Sequence, residues 1–291
     1  MNRTLTPDEI KQAVREGYTK LLDASSCCAS TGSTTPVPIT LERKRTELAS
    51  VVGYAAEELR MLPDGAVVSA FGCGNPLSFA ELKAGQVVLD IGSGAGIDCL
   101  LASEKVGPTG RVIGLDMTPA MTARARENAR AAGATNVEFR LGDAEQMPVE
   151  DESVDWVISN CVINLAPDKR RVFSEVVRVL VPGGRVSISD IVLGDDLPDE
   201  IVQSVDALVG CVAGAIKESE YLQAMRDAGL IDVAVTARMV YTEEQLAGFL
   251  ASMNHSDNSD AQLLWNRYRD RLIGNVWSAR ISARKPRHDE N

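Results

Sequence analysis

The spacing of apolar residues changes along this chain from a helical period to a strand period and back. Ile10, Val14, Tyr18, Leu21 and Leu22 fall on one face of a helix, preceded by Thr6, Pro7, Asp8 and Glu9. Those four form a capping box with proline at the first helical position, which predicts a helix ending near Asp23. SSCCASTGSTTPVPIT follows, with small polar residues, two prolines and no apolar face, and it predicts an extended mobile loop. A second helix is predicted from about Leu41 to Leu62, stopped by Pro63 and Gly65.

From Gln86 onward, short Val- and Ile-rich runs alternate with amphipathic segments. VVLDI, RVIGLD, VEFRL, VDWVIS and RVSISDIV read as strands, too uniformly apolar to be exposed on one face. Ala95 to Lys105, Pro119 to Ala132 after the cap Thr118, and Pro167 to Leu180 before Pro182, Gly183 and Gly184 read as the helices between them. Such alternation predicts a doubly wound, mostly parallel α/β sheet. Past the fifth strand, helices are expected near Pro198 to Val212 and Ser219 to Ala228, then a strand IDVAVTARM. A helical insertion over about 242–273 comprises Thr242 to Ser252 and Ala261 to Leu272, and the late strand VWSARISARK follows it. The expected division is an N-terminal helical segment, residues 1–65, and an α/β domain, residues 66–291.

Composition narrows the partners more than the fold. The chain has 291 residues, 45% hydrophobic and 24% charged, which excludes disorder as the main state. Thirty Lys and Arg against 41 Asp and Glu leave a net charge of −11 with no basic cluster, so no nucleic-acid partner is expected. No positively flanked apolar leader and no run of roughly 18 apolar residues is present, so a cytoplasmic protein without a membrane partner is expected. Six cysteines, Cys27, Cys28, Cys73, Cys99, Cys161 and Cys211, are too few for a disulfide scaffold at this length. Their use lies in packing or chemistry.

Gly92, Gly94 and Gly96 directly follow the first strand, where backbone amides can approach a ligand closely. A dinucleotide fingerprint would place its third glycine where Ile97 stands, so a smaller adenosyl ligand is favoured. Asp116 closes the second strand, where a carboxylate can accept from both ribose hydroxyls, and Asp143 follows the third, where one could accept from the adenine amine. Asp90 lies just before the loop, able to order it or attract a cation. Ser93, Met117, Ala144 and Asn160 complete the candidate cofactor site. Acids around a cleft suit the sulfonium of S-adenosylmethionine better than a phosphate-bearing cofactor. The pattern VLDIGSGAG, Asp116 and GDAE resembles the class I S-adenosylmethionine methyltransferases, a Rossmann-like fold.

Cys161 in VISNCVINLAPDK follows the fourth strand, Cys211 lies in VGCVAGA, and Cys73 sits in a Gly-Cys-Gly turn that is poor core material. Three thiolates from separate elements suit a soft three-coordinate centre. Zinc competes, yet there is no CxxC, and His255 and His288 are both near the C-terminus. Trivalent arsenic fits better, being thiophilic and pyramidal with a lone pair free to attack a methyl. Cys99, inside the helix after the glycine loop, is read as packing.

At these residues the sequence closely resembles the arsenite S-adenosylmethionine methyltransferases of microbes and animals, from about Gly53 to Ile231. GYAAEELRMLPDGA, FGCGNP, SNCVINLAPDKR, PGGRVSISD and GCVAGA carry the resemblance along with the glycine loop. It implies that Cys73, Cys161 and Cys211 hold As(III), arriving as arsenite or its glutathione complex, and that Cys27 or Cys28 takes part in a redox cycle. It also implies transfer of the methyl to arsenic, with glutathione or thioredoxin as the external thiol reductant. Adjacent cysteines joined to each other form a strained ring, so a long-range disulfide, to Cys73, is expected for that cycle. Two other readings stand beside this one: a methyltransferase for a small organic acceptor such as a quinone, and an arsenic or thiolate-binding protein without turnover.

Overall fold

The computed structural model describes residues 6–26, 54–60, 62–67, 74–78, 80–196, 198, 214–244, 246 and 259–290. Cys27, Cys28, Cys73 and Cys211 lie outside them, as do residues 27–40 of the expected polar loop, residues 41–53 of the expected second helix, and most of the helices expected over 198–212 and 242–252; Ser25 and Ser26 of that loop instead continue the first helix past Asp23.

The capping box starts α1 (Pro7–Ser26) as its residues require: Thr6 N donates to Glu9 Oε2 at 2.8 Å and Glu9 N donates to Thr6 Oγ1 at 3.3 Å. Two short helices follow, α2 (Ala56–Arg60) and α3 (Asp64–Val67). Gly65 thus sits inside a helical turn instead of ending one, while the chain bends at Leu62 before Pro63. Strand and helix then alternate: β1 (Val87–Ile91), α4 (Ile97–Val106), β2 (Arg111–Asp116), α5 (Pro119–Ala132), β3 (Val137–Leu141), β4 (Val154–Asn160), α6 (Lys169–Val179) and β5 (Leu180–Leu193). After these come α7 (Glu218–Asp227), β6 (Ile231–Val240), α8 (Ser259–Leu272) and β7 (Val276–Arg284).

The seven strands form one sheet in the order β3-β2-β1-β4-β5-β7-β6. Strands β1 to β5 are parallel, and β7 runs antiparallel between β5 and β6. Successive strands leave β1 in one direction and resume at β4 on its other side, so the switch point lies between β1 and β4, where α/β sheets bind ligands. Val88, Leu89 and Ile91 of β1 are wholly buried, as strands covered on both faces must be.

Local signals explain most boundaries. Pro119 opens α5 and Gly133, at φ 66, closes it by donating to Ala129 and Arg130 carbonyls. Asp168 caps α6, its carboxylate accepting from Arg171 N at 3.0 Å, so this helix starts later than Pro167. Strand β5 starts at Leu180, ahead of the Arg185 expected from sequence, because Gly183 N donates to Lys285 O and Lys285 N donates to Gly184 O. One core layer packs Leu89, Val157, Ile188, Phe173 and Tyr221 between the sheet and α6 and α7. The other packs Val88, Cys99, Leu100, Ala125 and Trp156 under α4 and α5. A third cluster, Val14, Cys161, Leu165, Ile191, Trp265 and Val276, draws α1 and α8 over the strand ends. Among the described residues, no helix is long and apolar enough to cross a membrane.

Candidate active site

A cleft of about 950 Å³, open mouth included, lies at the switch point. Its floor is the glycine loop. Gly92 adopts φ 74, and a β-carbon there would lie 2.1 Å from Val162 Cγ2, so only glycine lets the loop pass beneath that side chain. Gly94, at φ 51, faces open space, and its N–H donates to Asp116 Oδ2 at 2.9 Å. Asp116 Oδ1 accepts from Thr118 N at 2.8 Å, so this carboxylate braces the loop and the start of α5. Lone pairs on both oxygens remain for a ligand's hydroxyls. Burial raises the Asp116 pKa, and the Gly94 and Thr118 amides oppose that rise. Ser93 Oγ is buried without a hydrogen-bond partner among the described residues, a polar group prepared for a ligand.

Gly96 and Asp90 serve the fold beneath the cleft. Gly96 precedes α4 at φ 93 and a β-carbon there would meet Phe139 at 2.9 Å, so its role is helix packing against β3. Asp90 is 2% exposed and accepts from the Cys99 thiol at 3.3 Å, which places it out of reach of a cation in the cleft. Burial, then the nearby Asp98 charge, pushes its pKa well up. Cys99 is buried and free, as a packing residue should be.

Two cleft residues escaped the sequence reading. Tyr54 Oη donates to Asp98 at 2.9 Å, and Asn160 Nδ2 reaches Tyr54 Oη at 2.9 Å and Asp98 Oδ2 at 3.2 Å. Burial lifts Asp98 to about 6, against the pull of the Tyr54 and Asn160 hydrogen bonds. The signal for Asp98 was an acid in the first turn after the glycine loop; Tyr54 gave none, being 44 residues away. Asp143 is also not free: Lys11 from α1 pairs with it at 2.7 Å and with Glu145 at 2.5 Å. Burial works to raise the Asp143 pKa, yet the Lys11 ammonium and the Glu145 amide hold it below the ordinary carboxylate value. Val14 and Tyr18 of the same helix line the cleft beside Lys11, Met117 and Ala144.

Of the candidate arsenic ligands, Cys161 alone lies among the described residues. It follows β4, between Asn160 and Val162 of the cleft wall, at φ 59, a conformation rare for a residue with a side chain. It is 3% exposed and disulfide-bonded, although the sequence reading gave it ligation and gave redox exchange to Cys27 and Cys28. Its neighbour Asn160 clamps a second cysteine segment. The Asn160 carboxamide accepts from Gly74 N at 3.2 Å and donates to Gly74 O at 2.7 Å, and Gly74 directly follows Cys73. A β-carbon on Gly74 would lie 2.6 Å from Ser189 Oγ, so the approach needs glycine.

A glycine loop at the switch point, acids ending β2 and following β3, and an antiparallel β7 inside a parallel sheet define the class I S-adenosylmethionine-dependent methyltransferases. Residues 82–229 match the family model described as a methyltransferase domain. An arsenite methyltransferase of Halobacterium salinarum is 42% identical over 98% of this chain and 68% of its own length. That of Mus musculus is 35% identical over 72% of this chain and 54% of its own, so the chain spans between half and about two thirds of these relatives. The crystal structure of the arsenic(III) S-adenosylmethionine methyltransferase of Chlamydomonas reinhardtii matches at TM-score 0.58 and 30% identity, covering 87% of this chain and 75% of that one. The chain belongs to the arsenite methyltransferase family.

Proposed function

We propose that this chain is an enzyme that transfers methyl groups from S-adenosylmethionine to trivalent arsenic held by the thiolates of Cys73, Cys161 and Cys211. One observation carries the placement of the substrate. The Asn160 carboxamide holds both backbone groups of Gly74, so the neighbours of Cys73 and Cys161 in the chain are locked together at the edge of the cleft. Joining the chain neighbours of two cysteines beforehand lowers the ordering that capture of a thiophilic ion would cost.

S-adenosylmethionine supplies an electrophilic methyl group on a sulfonium. In this reading Ser93 Oγ and the open side of Gly94 receive its polar end, Asp116 its ribose and Asp143 its adenine amine, with Met117 and Ala144 alongside. Asp98, Asp116 and Asp143 favour a cation in the cleft. The three cysteines exchange with the thiol ligands of arsenite or its glutathione complex and hold arsenic toward the methyl donor. Orientation of this kind is worth several kcal/mol in a displacement, and no general base is required.

Attack by the arsenic lone pair raises arsenic to the pentavalent state. Two electrons return when two protein thiolates close a disulfide, and glutathione or thioredoxin reopens it. Cys27 or Cys28, in the segment before residue 66, supplies one of those thiols. The disulfide at Cys161 is consistent with such exchange and must be reduced before that sulfur ligates arsenic. A quinone acceptor or sequestration without turnover is not favoured, because the likeness to arsenite enzymes runs over nearly the whole chain and the cofactor loop is intact. Release of S-adenosylhomocysteine should depend on arsenite in the presence of glutathione; equal release with a quinone and none with arsenite would overturn the proposal.

A further inference from the structure

The carboxylate placed to accept from an adenine amine is already engaged: Lys11 Nζ lies 2.7 Å from Asp143 Oδ2. A lone ammonium on that carboxylate would draw on its lone pairs and bring donors of its own to the rim of the base. Such a pair would receive the carbonyl oxygen of hypoxanthine as readily as the amine of adenine. Selection of adenine needs Lys11 to be partly neutralised by something else.

Glu145 does this. Its Oε2 lies 2.5 Å from the same Lys11 Nζ, and the two side chains are 16% and 11% exposed, so water screens the pair weakly. Burial works to lower the Lys11 pKa, yet hydrogen bonds to Asp143 and Glu145 raise it above the ordinary value, so the ammonium stays charged. Two carboxylates around one ammonium leave a negative charge over, and Asp143 keeps its strength as an acceptor. Arg15, one turn on and exposed, acts on Asp143 through charge alone.

Three further hydrogen bonds fix Glu145. Its N–H donates to Asp143 Oδ1 at 2.9 Å, its Oε1 accepts from Asp168 N at 2.8 Å, and its carbonyl accepts from Arg171 Nε at 2.9 Å. The carboxylate cannot turn from Lys11 without releasing the amide of Asp168, the residue that caps α6. Lys11 and Asp143 line the cleft and Glu145 does not, so Glu145 acts on a ligand only through them.

We propose that Glu145 is a positioning residue for methyl-donor specificity: it shares the Lys11 ammonium with Asp143, so that Asp143 remains an acceptor and the cleft selects adenine over hypoxanthine. The inference rests on the reading of Asp143 as the acceptor of the adenine amine and supplies the reason that reading survives the ion pair. Lys11 thereby holds α1 along the cleft without silencing the acid beside the base.

Calorimetric Kd values for S-adenosylhomocysteine and S-inosylhomocysteine, which carries hypoxanthine, test it. The starting protein should prefer the adenine ligand about tenfold or more, since the hypoxanthine oxygen faces a carboxylate. Glu145→Gln keeps an oxygen for Asp168 N but loses the charge that shares Lys11, and the preference should narrow about threefold or more. Adding Lys11→Met to Glu145→Gln should restore at least the starting preference, because the competing ammonium is gone. A merely structural role would weaken both ligands alike; an unchanged ratio in Glu145→Gln, or no recovery in the double variant, overturns the proposal. If Glu145→Gln does not fold, Lys11→Met alone should widen the preference, and an unchanged or narrower one overturns it. Absence of any preference in the unsubstituted protein would instead strike the reading of Asp143 on which the inference rests.

Discussion

Gly92→Ala tests whether the glycine loop and the Cys161 loop are one mechanical unit. The new methyl meets Val162 at three atoms, Cγ2 at 2.1 Å, Cγ1 at 2.5 Å and Cβ at 2.7 Å. Valine is stiff about χ1, so it cannot swing clear without moving the backbone between Cys161 and Ile163. Holding alanine at φ 74 costs about 1–2 kcal/mol, and the overlap about 1–3 kcal/mol more. The substitution should therefore destabilise by about 2–5 kcal/mol, read as a fall in urea midpoint at constant slope. Val162→Ala removes the two closest contacts and leaves only the one at 2.7 Å. In the double variant about 1–3 kcal/mol should thus be recovered relative to the sum of the singles. Additive losses would refute the steric argument, and a neutral Gly92→Ala would refute the need for glycine.

Asp116→Ala should weaken S-adenosylmethionine about tenfold or more by calorimetry, since the Gly94 amide loses its acceptor and the ribose its partner, with arsenical binding retained; unchanged methyl-donor affinity removes Asp116 from the site. Lys11→Met should speed S-adenosylmethionine dissociation about threefold in stopped flow, because the ion pairs to Asp143 and Glu145 hold α1 along the cleft; an unchanged rate would mean that α1 does not cover the ligand. Burial raises Asp190 from 3.8 to about 7, with Tyr221 of α7, Lys169 of α6 and the Asn164 and Ile191 amides opposing. An acid whose folded pKa is raised binds more protons folded than unfolded, so its contribution falls as pH rises from about 4 to about 7. Asp190→Asn should flatten that fall, by at most about 4 kcal/mol across the window; parallel stability curves for the two proteins would contradict it.

Sequence legibility followed the range of the forces involved. Helix α5 was readable to the residue because Thr118, Pro119 and Gly133 fix its ends locally. Strand β5 was not, because residues 180–184 are extended by a partner 100 residues on, and proline with two glycines reads as a stop to anyone who cannot see Lys285. The glycine loop and Asp116 could be found from spacing alone. What those residues touch could not. Asp143 reads as a free acceptor in the sequence, yet Lys11 of α1 pairs with it, and Asp90, which reads as an acid of the cleft, is buried against Cys99. Tyr54, Asp98 and the Asn164–Asp190–Tyr221 network each depend on groups far apart in the chain, where neither period nor motif carries a signal.

Speciation of arsenic after incubation with S-adenosylmethionine, arsenite and glutathione tests the central claim most directly, by chromatography coupled to elemental mass spectrometry. The reduced protein should produce methylarsenicals matched mole for mole by S-adenosylhomocysteine, and Cys161→Ser should produce none while binding S-adenosylmethionine nearly as before. Unmethylated arsenic alone from folded protein that binds the methyl donor, or the same products at the same rate from Cys161→Ser, would contradict the account.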